Sequence, residues 1–116
     1  VPAASFENAV HPDNRDNAML RAMHRRMALA NGPDVFVRHQ QAILDRRDSR
    51  PDLADIDVPA WVIVGEADKV TGVEAAREIA AGVKGAHFIE IPQAGHFVPV
   101  EQPEAVNRAV AEWLSA

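Results

Sequence analysis

Two short apolar runs separated by one amphipathic stretch organise the second half of the chain. Ala60-Trp61-Val62-Ile63-Val64 is continuous and apolar, the pattern of a strand buried on both faces. Gly65-Glu66-Ala67-Asp68 is turn material, and Thr71-Gly72-Val73-Glu74 has the Ser/Thr-x-x-Glu spacing of a capping box, so a helix is predicted to start there. Val73, Ala76, Ile79, Ala80 and Val83 recur at helical spacing up to Gly82 or Gly85, and Ala86-His87-Phe88-Ile89-Glu90-Ile91 reads as a second strand. Strand, helix and strand in that order predict two parallel strands joined by a right-handed crossover. Beyond Pro92 to Phe97, a last helix is predicted with Pro103 in its first turn and Val106, Ala109, Val110, Trp113 and Leu114 on one face.

The front half has a different rhythm. The stretch to about Asn17 holds Pro2, Pro12 and several Asx residues and reads as irregular or weakly helical. From Asn17 to Ala30 the pattern is helical, with Met19, Met23 and Met27 forming a stripe that reads as core-facing, although flexible thioethers also suit a lid over an apolar substrate. Asn31-Gly32-Pro33 breaks this helix, Gly32 supplying a left-handed residue and Pro33 opening a further helix to about Arg47. A polar stretch interrupted by Pro51 and Pro59 then leads into the first strand.

Composition narrows the possible chemistry. The 116 residues, 47% of them hydrophobic, suffice for one small domain, and no segment approaches the length and apolarity of a membrane span, so no membrane partner is expected. Net charge is −5, yet Arg15 to Arg50 carries eight arginines against four aspartates, a local +4 with −9 elsewhere. Aromatic residues are not interleaved with these arginines, so they are expected to be solvated helix faces rather than a nucleic-acid surface. With no cysteine there is no disulfide and no thiolate nucleophile. The five histidines show no His-x-His or His-Glu-x-x-His spacing, so no metal and no cofactor is expected. Val1 to Val10 lacks the basic start and apolar stretch of a signal peptide, which makes the cytoplasm the expected compartment. A first residue of Val rather than Met is read as the mark of a processed, cleaved or truncated chain.

Asp68 follows the first strand and His96 follows the second, on loops expected at the same carboxyl edge of a parallel sheet, where ligands bind in open α/β folds. A carboxylate there can accept Nδ1–H of the imidazole, fix its tautomer and stabilise the imidazolium that forms when Nε2 takes a proton. Taken singly, each residue is ordinary: a turn aspartate is usually a capping or solvated group, and a Gly-His pair is usually structural.

Together, Val58-Pro59, the apolar strand, Gly65-x-x-Asp68, the helix, the second strand and Pro92-x-x-Gly95-His96 followed by Glu101-x-Pro103 resemble the end of α/β-hydrolases. The resemblance covers roughly Asp45 to Ala116, and Asn17 to Arg47 is similar in character to the end of a helical cap. It implies an α/β fold, specifically the C-terminal part of an α/β-hydrolase: two parallel strands with flanking helices over residues 48–116, preceded by cap helices within 1–47. In that family the triad runs nucleophile, acid, histidine, which implies Asp68 as acid and His96 as general base. Glu101 and Pro103 match the family's lead into the last helix and are given structural roles, while Phe97 is a candidate border of the pocket.

The departure from the family is the nucleophile. Ser5, Ser49 and Ser115 are the only serines, and none lies in a Gly-x-Ser-x-Gly elbow. The expectation is therefore a half-length form of a cofactor-independent hydrolase of carboxylic esters or lactones, inactive or very weak alone. Because two parallel strands by themselves are marginal in water, a partner is expected at the open edge of strand Ala60 to Val64: the N-terminal half of the same hydrolase or a second copy in a homodimer. The alternative is a noncatalytic hydrolase remnant that acts as a self-associating interaction module.

Overall fold

The computed structural model describes residues 3–116. The chain forms α1 (Ala3–Ala9), α2 (Ala18–Leu44), β1 (Trp61–Gly65), α3 (Val73–Gly82), β2 (His87–Ile91), α4 (Val98–Glu101) and α5 (Pro103–Leu114), with 3-10 turns at Pro12–Asn14 and Arg50–Asp55. β1 and β2 pair in parallel, in a register that sets Trp61 opposite His87 and Gly65 opposite Ile91. Two parallel strands with flanking helices are thus the architecture of the second half, as the apolar periodicity predicts.

Several local expectations shift. The opening stretch contains a regular helix, α1, because Phe6, Ala9 and Val10 find a surface to bury against. Strand β1 runs one residue later than the apolar run and is buried only at Val64 and Gly65, with Trp61 to Ile63 half-exposed, so it is not covered on both faces. The capping box does not form: the N-cap of α3 is Gly72, no side chain caps it, and the Thr71 hydroxyl is turned to another use described below.

The methionine stripe is also corrected. Met19 and Met27 are 75% and 49% exposed, and the residue that α2 buries is Leu20, with Met23 packed beside it. The reason is geometric: α2 rests on a narrow seam formed by α1 and the segment after β2, wide enough for Leu20, Met23 and His24 at i, i+3 and i+4 but not for a full helical face. Asn17 starts this helix by accepting from the backbone N–H groups of Met19 and Leu20 at 3.1 Å each. At Gly32 the backbone leaves helical geometry, with φ 75° and ψ 171°, a combination that essentially only glycine adopts, and Pro33 restarts the helix at an angle.

Two small cores result. Phe6, Val10 and Leu20 make one, with Met23 and Phe97 against it. Ile91, Ala94 and Val98 make the other, beneath Ile63, Ile89, Ala105 and Val106. Each fully buried side chain of this size contributes about 2 kcal/mol of transfer free energy. α5 buries Ala109 and donates from Trp113 Nε1 to the Pro59 carbonyl at 3.0 Å, tying its end to the entry of β1, while Leu114 at the terminus is 71% exposed. The two cores meet at the loop after β2, and that loop carries His96.

Candidate active site

The rim at the carboxyl end of the sheet is assembled by backbone bonds between loops that are distant in sequence. After β1, the Glu66 N–H donates to the Ile91 carbonyl at 3.0 Å and the Ala67 N–H to the Ala94 carbonyl at 2.9 Å, so the loop bearing Asp68 is laced to the loop bearing His96. This approach requires glycine. A Cβ on Gly65 would collide with the carbonyls of Ala94 and Gly95, and one on Gly95 would sit 2.6 Å from the Val10 carbonyl carbon.

Asp68 and His96, 28 residues apart, are brought together: Nδ1 of His96 lies 3.0 Å from Oδ2 of Asp68. The aspartate side chain is 5% exposed and the histidine 37%. Oδ1 of Asp68 accepts from the N–H groups of Val70 and Thr71 at 2.9 Å each, and Oδ2 also accepts from the Thr71 hydroxyl at 3.3 Å. Burial pushes the Asp68 carboxyl up, but the hydrogen bonds from His96, Thr71 and Val70 and the attraction of the imidazolium together outweigh it, so the group is held below its ordinary value. The carboxylate is therefore ionised at neutral pH and acts as the acceptor, which fixes the proton of neutral His96 on Nδ1. Both contacts to the ring, from Asp68 and from Thr71 Oγ1 at 3.3 Å, fall on Nδ1, so Nε2 remains available as a base.

Sequence spacing assigns Thr71 to a helix cap and misses its place beside both members of the pair. The available signal is Asp68-Lys69-Val70-Thr71, the spacing at which an aspartate accepts from the backbone two and three residues ahead and holds that turn against itself. Phe97 lies beside His96, with ring centroids 6.3 Å apart, and forms an aromatic row with His24 and Phe6 that joins the site to α1 and α2. Among the described residues no serine hydroxyl hydrogen-bonds to His96: Ser5 Oγ is 3.4 Å from His24 Nε2, and Ser115 Oγ donates to the Ala111 carbonyl. Among the described residues, no group of three or more His, Asp or Glu side chains is arranged to hold a metal ion.

A carboxylate orienting an imidazole across two strand-end loops is an arrangement able to move a proton through Nε2, and comparison with known proteins says which fold family carries it here. A model of the alpha/beta hydrolase family matches residues 2–109. The chain belongs to the α/β-hydrolase family. The crystal structure of a hydrolase from Pseudomonas aeruginosa PA01 is 31% identical and superposes with a TM-score of 0.81 over 98% of this chain and 43% of that one. An enol-lactonase from Burkholderia xenovorans LB400 is 33% identical with a TM-score of 0.59, over 62% of this chain and 27% of the lactonase. A haloalkane dehalogenase from Mesorhizobium japonicum is 36% identical over 56 residues, which are 48% of this chain and 18% of the dehalogenase. The chain thus spans less than half the length of each of these α/β-hydrolase relatives.

Proposed function

We propose that this α/β-hydrolase chain supplies the acid and the general base of a Ser-His-Asp triad that hydrolyses carboxylic esters or lactones, with the nucleophile contributed by residues outside these 116. The observation that carries the reading is the 3.0 Å contact between His96 Nδ1 and the buried Asp68 carboxylate at the sheet's carboxyl rim. The enol-lactonase similarity supports the choice of substrate class.

In the proposed cycle Nε2 of His96 takes the hydroxyl proton of a serine as its oxygen attacks the ester carbonyl, and Asp68 stabilises the imidazolium. His96 then returns the proton to the departing alkoxide, leaving an acyl-enzyme. Water repeats the sequence: its proton passes to Nε2, its oxygen attacks the acyl carbon, and the serine is released with the proton restored. No Gly-x-Ser-x-Gly elbow occurs in the sequence, and an oxyanion hole is usually worth several kcal/mol of transition-state stabilisation, so the chain alone is expected to turn over poorly. On this reading the kinked α2 is the end of a cap over the site, residues 1–47 being the cap segment and 48–116 part of the catalytic core.

The test is complementation. The chain is assayed with p-nitrophenyl esters alone and with an N-terminal α/β-hydrolase half bearing a serine elbow. Hydrolysis that emerges only in the mixture and disappears with His96→Ala supports the proposal; hydrolysis that survives His96→Ala, or no hydrolysis in any mixture, defeats it.

A second reading, a noncatalytic module that pairs with itself, is favoured by one observation: an apolar hollow of about 340 Å³ beside β1, lined by Trp61, Ile63, Val110 and Trp113 among others. On this reading the open edge of β1 meets a second copy. A well-folded monomer by size-exclusion chromatography at high dilution would exclude it.

A further inference from the structure

We infer that Glu101 is a positioning residue for His96, acting through the backbone N–H of Gly95, the residue before it. This rests on the acid-and-base reading of Asp68 and His96 proposed above and adds the element that sets the imidazole's place. The Glu101 carboxylate spans the seam between two segments far apart in sequence. Its Oε2 accepts from the Gly95 N–H at 2.8 Å, while Oε1 accepts from the His11 N–H at 2.6 Å and from Asn14 Nδ2 at 3.0 Å. Such charge-assisted bonds are roughly twice as strong as neutral ones.

Nothing in α4 itself calls for this carboxylate. Glu101 lies in the single turn of that short helix, and its hydrogen-bond partners in other segments account for its placement. On the other side of His96, the Phe97 N–H donates to the Ala9 carbonyl at 3.0 Å. The backbone N–H groups of the residues on either side of His96 are therefore both tied to the segment 9–14, one directly and one through Glu101. Gly95 has no side chain with which to anchor itself, and its backbone presses on Val10 and His11 so closely that a Cβ would not fit. Release of the Gly95 N–H leaves the peptide between Ala94 and Gly95 held only by the Ala67 N–H at the Ala94 carbonyl, so the strand-side end of the His96 segment can tilt and the imidazole loses its fixed position against Asp68.

Glu101→Gln separates this role from general packing, because it preserves shape and leaves one acceptor. Two donors converge on Oε1 and one on Oε2, so the glutamine oxygen satisfies the pair and its NH₂ is set against the Gly95 N–H. The readout is the His96 tautomer, taken from long-range ¹H–¹⁵N correlations to the ring carbon protons at a pH where the ring is neutral. Wild-type chain is expected to show the Nδ1–H form imposed by Asp68, and Glu101→Gln to move toward the Nε2–H form that free imidazole side chains favour. Exchange of the Gly95 amide is expected to accelerate by roughly tenfold to hundredfold.

A wild-type tautomer retained in Glu101→Gln overturns the inference and leaves the Asp68 and His96 reading standing. Absence of the Nδ1–H form in the wild type removes both. Should Glu101→Gln fail to fold, the half-buried Asn14 gives a milder variant: Asn14→Ala removes one donor from Oε1, and a partial shift in the same direction supports the inference, whereas an unchanged tautomer overturns it.

Discussion

Between Gly65 and Glu101 the rim of the sheet is held by its own polar groups. Asp68 accepts from His96, Val70 and Thr71, Glu66 accepts from the Gln93 N–H at 2.7 Å, and Glu101 joins Gly95 to His11 and Asn14. The second half of α2 is the reverse. From Pro33 onward it turns Phe36, Val37, Ile43 and Leu44 to solvent, at 47%, 63%, 60% and 78% exposure, and an apolar hollow of about 350 Å³ opens at its kink beside Leu29, Phe36 and His39. The contrast shows where this chain's information is complete. Geometry at the rim follows from bonds the chain makes to itself, whereas the helix beyond Gly32 carries an apolar face with little to bury it.

The largest effect is expected at the base. His96→Ala is expected to reduce ester hydrolysis in the complemented enzyme by at least about 10³-fold, measured as p-nitrophenol release, since positioned general-base catalysis typically contributes about 10²–10⁴. A loss under tenfold would mean that the rim's order serves something other than proton transfer.

Next in size are the steric requirements of the rim. Gly65→Ala forces a methyl group into the Ala94 and Gly95 carbonyls and is expected to destabilise the fold by about 3 kcal/mol in urea titration, with the hydrogen bond between Asp68 and His96 the first to break. Leu20→Ala, in the core under the first half of α2, is expected to cost a similar amount, about 3 kcal/mol. By contrast Leu44→Ser, on the open half of the same helix, should change stability by no more than about 0.5 kcal/mol. Comparable costs at Leu20 and Leu44 would show that the outer half of α2 is covered in solution.

A smaller effect is expected with pH. Because the folded-state value of Asp68 lies below its ordinary 3.8, its contribution to stability is fully present above that value and is lost as pH falls through the lower, folded one. Urea midpoints measured from pH 5 downward should therefore fall across the acid range, and Asp68→Asn should flatten that part of the curve. A variant curve parallel to the wild type would show that the aspartate gains nothing from its partners.

Much of this architecture is legible in the sequence, for identifiable reasons. Five consecutive apolar residues and a second run after an amphipathic stretch admit few arrangements other than two parallel strands, and Gly32-Pro33 marks a helix break because each residue restricts its backbone in a known way. Asp68 and His96 stand out because both follow strands of one sheet, which confines them to one rim. Thr71 does not, since the residue types of a capping box are present while its hydroxyl is drawn to Asp68 by a turn that only the folded loop reveals. The methionine stripe misleads because periodicity reports which residues share a helical face and says nothing of how wide a surface awaits them.

The chain's own pattern thus determined the order β1, α3, β2 and α5, the parallel pairing and the two side chains at the rim, since each depends on local spacing and on the short reach of a strand-end loop. Tertiary structure alone decided that residues 9–14 lie along the loop of His96, that Glu101 bridges them, and that α2 buries Leu20 in place of Met19 and Met27. Those outcomes depend on contacts between segments as much as 90 residues apart, as between His11 and Glu101, where no local preference acts and the relative placement of whole elements sets which polar groups meet.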